Sequence, residues 1–358
     1  MNEPLWIIVD GLGLAGAEKQ ATQLALKLAE VYEIRIVYLK AADGSDETRL
    51  SRLFTESRGR VIGQRLSILL FIKLFAYRKS LTIITFSVKS NILGRILKLL
   101  NRRIYLITSI RNEKFSNNFA YALYRMSYRV TELAVYNSKT AMVRGCIQGL
   151  SSRTQSLFIN NYVDRVAPQF RQIKVIRRLA YLGRLVPQKR VDWLIEAVSN
   201  IQSEIPDVEL DIYGYGPMAT KVIRKINEVN ERGGIHYKGP YSTIDAILDR
   251  VDMVIIPSEW EGMPNVALEC AQRLIPVIGS NAGGLADIQE ECSIAMFVEL
   301  KSVLDLQDLI RSWLLRDSET ICSATEQLSR YVTNNHNSEH ITKLWLETIQ
   351  NRTGFTHA

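Results

Sequence analysis

No acidic residue occurs between Glu56 and Glu113, an interval that holds twelve lysines and arginines from Arg58 to Arg111. A field of one sign over that length disfavours a cationic partner for the first half of the chain. It points to an anionic one: phospholipid headgroups, a lipid diphosphate or nucleic acid. Histidine is scarce too. None precedes His236, and the others are His336, His340 and His357. With no G-x-S-x-G either, a Ser-His-Asp hydrolase has no support. His336 and His340 have i,i+4 spacing but no third ligand, so they read as surface residues and not as a zinc site. Cys146, Cys270, Cys292 and Cys322 are scattered with no C-x-x-C. That argues against a disulfide frame or a thiolate metal site and suits a reducing compartment. No apolar run reaches the ~18 residues of a membrane-spanning helix. The start, M-N-E-P-L-W-I-I-V-D, enters a strand without a basic leader, so no signal peptide is expected. No D-x-D occurs.

What is present suits two domains of ordinary size: 358 residues, 47% of them hydrophobic. The charge is uneven. Residues 1–170 carry 25 Lys and Arg against 12 Asp and Glu, a net of +13, so the remainder of this +8 chain is −5. The chain opens as a βαβ unit: strand 5–9, glycine loop 10–16, helix 17–30, strand 34–39. The loop, Gly11-Leu-Gly13-Leu-Ala-Gly16, satisfies G-x-G-x-x-G. Such glycines let a pyrophosphate, or another domain, approach a helix end. The acid expected after the second strand would be Asp43. Residues 60–80 hold an apolar core, 66–75, flanked by cations and helical in pattern, and 92–103 form a second such segment. Each reads either as a layer on the sheet or as a helix lying in a membrane interface. Strands follow at 81–86, 104–109 and 133–137. Arg111 and Asn112 leave the end of a strand where α/β sheets bind ligands, which makes them candidates for acceptor or phosphate contact. Residues 160–174 lose the pattern and read as an interdomain linker.

The second half restarts the alternation of strand and helix, which argues for a parallel sheet in each half. Its strands end in glycine-bearing turns at Gly183, Gly214 and Gly262. Residues 257–269, P-S-E-W-E-G-M-P-N-V-A-L-E, follow the apolar run 253–256. Strand, tight turn and helix start make an anion site, with Pro264 expected in the helix's first turn. Glu261 and Glu269 bracket it. Carboxylates accept hydrogen bonds from hydroxyls, and a sugar nucleotide has hydroxyls on both sides of its diphosphate. Arg184 and Lys189 supply the cations of a diphosphate clamp. Such a set would grip both halves of a nucleoside diphosphate sugar and hold the leaving diphosphate without a metal.

The motifs G-L-G-L-A-G-A-E at 11–18, G-R-L-V-P-Q-K-R at 183–190, Y-G-Y-G-P at 213–217, E-G-M-P-N-V-A-L-E at 261–269 and N-A-G-G-L at 281–285 resemble those of retaining GT-B glycosyltransferases, family 4 (glycosyl transferases group 1). The resemblance spans nearly the whole chain and is strongest in its second half. It implies an α/β protein of two Rossmann-like domains with parallel sheets facing across a cleft. Their extents would be 1–170 for the acceptor domain and 171–335 for the donor domain, with 336–358 returning as a helix to the first. It further implies that Arg184 and Lys189 hold the donor diphosphate and that Glu261 contacts the transferred sugar. Glu269 would take the ribose, while Gly183, Gly214, Tyr215, Gly262, Met263, Pro264 and Asn265 line the donor. Gly13 and Gly16 would let the first domain close on it. Many members carry a first-domain histidine near the reaction centre; here that region holds Arg111 and Asn112.

The expected function is therefore a metal-independent retaining transferase, without cofactor, acting on a nucleotide sugar of the UDP series. Its acceptor would be lipid-linked or a saccharide in bacterial surface polysaccharide synthesis, lipopolysaccharide, O-antigen or capsule. The basic first half would sit peripherally on the inner face of the cytoplasmic membrane, without nucleic acid as partner. The alternatives are an NAD-dependent oxidoreductase using loop 11–16 and a GT-B sugar-nucleotide epimerase.

Overall fold

The computed structural model describes residues 4–12, 16–40, 46–111, 118–152, 155–163, 173–229, 233–241 and 243–351. The chain divides into two compact units, Met1–Tyr162 with Ser338–Ala358, and Val163–Asn337. The division falls between Tyr162 and Val163, against an expected 170/171.

In the first unit the elements run β1 (Leu5–Val9), α1 (Gly16–Leu28), β2 (Ile34–Tyr38), α2 (Asp46–Glu56), β3 (Val61–Arg65), α3 (Ile68–Phe75), β4 (Leu81–Phe86) and α4 (Val88–Leu100). They continue β5 (Ile104–Ile110), α5 (Asn118–Met126), β6 (Leu133–Tyr136), α6 (Lys139–Ile147) and β7 (Ser156–Phe158). The sheet order is β3-β2-β1-β4-β5-β6-β7, with every pairing parallel. Strands β1 and β4 are buried along their whole length. Their mainly apolar sequences, L-W-I-I-V and L-T-I-I-T-F, suit that position, since helices cover both faces of a parallel sheet. Strand order reverses between β1 and β4, which marks the switch point of a doubly wound sheet.

One difference from expectation concerns this unit. Helix α3, Ile68–Phe75, falls within the expected apolar core 66–75, but Val61–Arg65 before it, where no strand was expected, form edge strand β3. Ser67 separates them, its Oγ accepting from the Leu70 N–H at 3.1 Å as an N-cap.

The second unit runs β8 (Arg178–Leu182), α7 (Val191–Ile201), β9 (Glu209–Tyr213), α8 (Ala219–Val229), β10 (Ile235–Gly239), α9 (Asp245–Leu248) and β11 (Met253–Ile256). Then come α10 (Asn265–Gln272), β12 (Val277–Ser280), α11 (Gly284–Glu291), β13 (Phe297–Val298), α12 (Val303–Leu314) and α13 (Ser318–Asn335). Its parallel sheet has the order β10-β9-β8-β11-β12-β13, with the switch point between β8 and β11. Helix α7 buries Leu194, Ile195 and Val198 at i,i+1,i+4 spacing against it. Helix α12 starts at a capping box in which Ser302 and Asp305 satisfy each other's backbone N–H.

The final helix, α14 (Ser338–Gln350), contributes Ile341, Trp345 and Ile349 to the core of the first unit. Trp345 is 2% exposed, with its ring 6.2 Å from that of Phe86 at the end of β4. Among the described residues, three helices, not the two expected, follow residue 302. His336, expected on the surface, is buried as the C-cap of α13; its carbonyl accepts from the Val163 N–H at 3.4 Å.

Candidate active site

Parallel strands deliver their following loops to one edge of a sheet, so β9, β8 and β11, adjacent in that order, bring the turns after Tyr213, Leu182 and Ile256 together. The turn after β8 carries Arg184 and Lys189. Tyr181 Oη donates to the Arg184 carbonyl at 2.9 Å and fixes the start of that turn. Residues Pro187–Lys189 make one 3-10 turn. Arg190 then takes a left-handed conformation at φ 48°, which costs a non-glycine residue about 1–2 kcal/mol. Its guanidinium offsets this by donating to the Leu300 carbonyl at 3.0 Å and stacking 4.2 Å from the Trp193 ring. The Lys189 backbone is thus held from both sides.

The turn after β11 meets it. The Glu259 N–H donates to the Gln188 carbonyl at 2.8 Å, and Lys189 Nζ pairs with Glu261 Oε1. The pair is largely withdrawn from water, with the Lys189 side chain 16% and the Glu261 side chain 8% exposed. Ser258 Oγ donates to the same Glu261 oxygen at 2.7 Å, and Ser280 Oγ, at the end of β12, donates to the Ser258 carbonyl. One carboxylate oxygen therefore holds an ammonium and a hydroxyl. Burial pushes the Tyr181 phenol well above its ordinary value, and the Glu261 charge adds to the rise.

Two glycines are required by this packing. Gly214 has φ +146°, and a Cβ there would lie 1.8 Å from the Gly183 carbonyl oxygen. Gly283 has φ +54°, and its Cβ would lie 2.1 Å from the Glu261 carbonyl oxygen. The N-A-G-G loop therefore lies directly against the Glu261 turn, and the Gly284 N–H donates to the Gly262 carbonyl at 2.6 Å.

Helix α10 begins beside the pair. Pro264 is its N-cap, one position before the expected first turn, and no side chain caps the helix there. In that first turn the Ala267 N–H donates to the Pro264 carbonyl at 3.1 Å, and the helix start carries the positive end of the dipole. Met263 is buried; Asn265 and Glu269 are half-buried on the first turns. Burial raises the Tyr241 phenol above its ordinary range, and the Glu269 charge adds to this. Gly183 is half-buried, whereas Arg184 and Tyr215 are exposed. The structure thus gathers Arg184, Lys189, Glu261, Gly262 and the α10 start at one switch point, with Gly214 and Tyr215 on the neighbouring strand end.

Ser258, Ser280 and Gly283 were not singled out from sequence. Ser258 had a legible signal, a hydroxyl three residues before Glu261 at the end of a buried strand. Among the described residues, no group of three or more His, Cys, Asp or Glu could hold a metal.

In the first unit the corresponding edge is polar and buried. Asp10, after β1, accepts from the Ser90 N–H at 3.0 Å in the first turn of α4. Arg111, after β5, donates through Nε to Ser109 Oγ at 2.9 Å and through Nη1 to Asn161 Oδ1, and lies 4.8 Å over the Phe86 ring. Burial pushes its guanidinium down to about 9, so it stays charged at neutral pH. Gly16 starts α1, and a Cβ on Gly11 would lie 3.0 Å from Glu18 Oε1. A carboxylate at that distance disfavours a pyrophosphate in the loop. Gly13, Asp43 and Asn112 lie outside the described residues.

Residues 170–335 match the family model described as glycosyl transferases group 1. Poly(ribitol-phosphate) alpha-N-acetylglucosaminyltransferase of Staphylococcus aureus (strain COL) is 25% identical over 190 residues, 52% of this chain and 38% of that protein. The chain spans less than half the length of the curated relatives it matches. Among solved structures, Anabaena HepE in complex with UDP and glucose superposes with a TM-score of 0.81 at 15% identity, covering 97% of this chain and 99% of that one. A Staphylococcus aureus TarM mutant in complex with fondaparinux, alpha-GlcNAc-glycerol and UDP gives 0.79 at 12% identity, over 98% and 100%. The two parallel-sheet Rossmann-like units are those of the GT-B fold.

Proposed function

We propose that the chain is a glycosyltransferase that moves a sugar from a nucleotide sugar, of the UDP series, to a lipid-linked or saccharide acceptor. The observation that carries this is the Lys189–Glu261 pair, set at the switch point beside the uncapped start of α10. The family model covering the same unit and the UDP bound by the structural neighbours support it.

On this reading the anomeric C–O bond to the diphosphate breaks and a new bond forms to an acceptor hydroxyl. Lys189, Arg184 and the α10 dipole take up the charge developing on the diphosphate. Because these groups supply positive charge at that point, we propose turnover without a divalent metal or cofactor. Glu261 accepts from sugar hydroxyls with its second oxygen, and Glu269 accepts from the ribose. The finer reading is a retaining family 4 enzyme, in which the departing phosphate receives the acceptor proton on the face the acceptor attacks. Its setting would be surface-polysaccharide synthesis at the inner face of the cytoplasmic membrane.

The test is a donor screen by ligand-observed NMR with UDP-, GDP-, ADP- and TDP-sugars in EDTA. Binding and slow hydrolysis of one series is the expected result. Binding of NADH with none of the sugars would overturn it in favour of an oxidoreductase.

A further inference from the structure

The outer surface of α3 and α4 is apolar where it should be polar. On α3, Ile68 and Leu69 are 80% and 79% exposed, and Ile72 and Phe75 continue the stripe at i,i+4,i+7 spacing. On α4, Ile96, Leu99 and Leu100 do the same, with Leu99 63% exposed. The opposite faces are the ones packed on the sheet: Leu70, Leu74 and Leu97 share one cluster with Trp6, Ile8 and Ile83. Both helices therefore cover the same sheet face and turn their second apolar stripes outward together. Asn101 Nδ2 locks their C-terminal ends by donating to the Leu74 and Tyr77 carbonyls at 3.1 and 2.9 Å. A scatter of single exposed aliphatics needs no explanation, but a contiguous face does.

We infer that this face docks the protein on an anionic phospholipid bilayer. Charge identifies the occupant. Lys73, Arg78 and Lys79 flank the α3 stripe, and Arg102 and Arg103 follow the α4 stripe, all exposed. No acid occurs in the sequence from Ser57 to Asn112 to repel phosphate. Basic heads above apolar side chains is the pattern of a helix lying in a membrane interface. Helix α3, with 8 residues, is about 12 Å long, so it lies along the interface. No helix of the described residues is long and apolar enough to cross a membrane. Leu99 also borders a cavity of about 350 Å³ lined by Lys98, Arg102, Arg129 and Thr131. The Glu132 carboxylate in it is occupied by Lys98 Nζ and by the Leu106 N–H at 2.8 Å. A lipid whose chain lies on Leu99 places its headgroup phosphate between Arg102 and Arg129.

The inference rests on the first unit and not on the transferase reading. Its test is sedimentation of the full chain with vesicles of phosphatidylcholine alone and with phosphatidylglycerol added. Expected is partition onto the anionic vesicles only, weakening with salt. Leu69→Glu with Ile72→Glu should weaken it by at least about tenfold, with the melting temperature unchanged. Arg102→Gln with Arg129→Gln should cost roughly fivefold per charge. UDP-sugar binding should survive both variants, so failure here leaves the transferase reading standing. Absence of vesicle binding, or binding unchanged by the apolar variants, overturns the inference. So does light scattering in which Leu69→Glu with Ile72→Glu converts a dimer to a monomer while vesicle binding is absent, since the face would then meet a second copy.

Discussion

Replacing Lys189 by methionine keeps the aliphatic stem and deletes the ammonium, which separates what the charge does for folding from what it does for transfer. Removing one partner of a buried ion pair costs about 3–5 kcal/mol. Here the Lys189 side chain retains 16% exposure and Ser258 still donates to Glu261, so we expect about 2 kcal/mol. In a unit of this size each kcal/mol moves the midpoint by about 2–4 °C, giving a fall of about 4–8 °C. The effect on transfer should be larger. Losing one preorganised donor to a developing oxyanion costs about 3 kcal/mol, or ~10²-fold in kcat/KM. The assay is initial-rate transfer well below both midpoints, beside thermal unfolding. Combining Lys189→Met with Glu261→Gln removes the stranded charge and should restore about 1 kcal/mol of stability while leaving activity at or below the single variant. Wild-type kcat/KM in Lys189→Met would remove Lys189 from the chemistry. Activity that returns with stability in the double variant would make the pair a structural strut.

Glu269→Ala should weaken nucleotide affinity by about 10–100-fold, the loss of one or two charge-assisted hydrogen bonds, and calorimetry giving an unchanged Kd would refute a ribose contact. Because the Glu269 charge adds to the burial that raises the Tyr241 phenol, Glu269→Gln should bring that ionisation to lower pH in an alkaline ultraviolet titration; no movement would place Glu269 away from the ring. Gly283→Ala meets both a left-handed φ and the Glu261 carbonyl, so a loss above about 2 kcal/mol is expected, and an unchanged melting temperature would contradict the packing. Trp345→Ala should cost the first unit about 3–5 kcal/mol, and unchanged unfolding would detach α14 from that core.

The strands that sequence revealed best are those buried on both faces. Met253–Ile256 is apolar throughout, and Leu81–Phe86 is so except for Thr82 and Thr85; β-branched and aliphatic runs of that length suit a central parallel strand. Strands β3 and β7, at the two edges of their sheet, were not legible. An edge strand needs only partial cover, so V-I-G-Q-R and S-L-F carry no periodic signal. Charge misled in the same unit. Arg95, one of the twelve cations, is 1% exposed, stacked 3.7 Å from the Tyr124 ring and bonded to the Tyr124 carbonyl at 2.7 Å. Arg111 also turns inward. A guanidinium can be satisfied by carbonyls and an aromatic face, so an absence of acids does not place every cation in solvent.

The second-unit motifs were readable one at a time, but their meaning lies in a contact that no local pattern encodes. Lys189 and Glu261 are 72 residues apart and meet only because β8 and β11 are neighbours across the switch point. That contact changes the chemistry expected of each. Burying an unpaired charge is costly, and at 16% and 8% side-chain exposure Lys189 and Glu261 offset that cost for one another. Paired, they meet at Glu261 Oε1, which Ser258 also holds, and the second carboxylate oxygen and the other N–H bonds of Lys189 are what the proposed donor would use. The proposed donor needs both. Its diphosphate takes a cation and its hydroxyls take a carboxylate, so a site already holding the two in contact presents them without first drawing charges from solvent. Ser258 and Ser280 carry the same economy one step further back, since each fixes a group whose position would otherwise have to be set when the donor arrives.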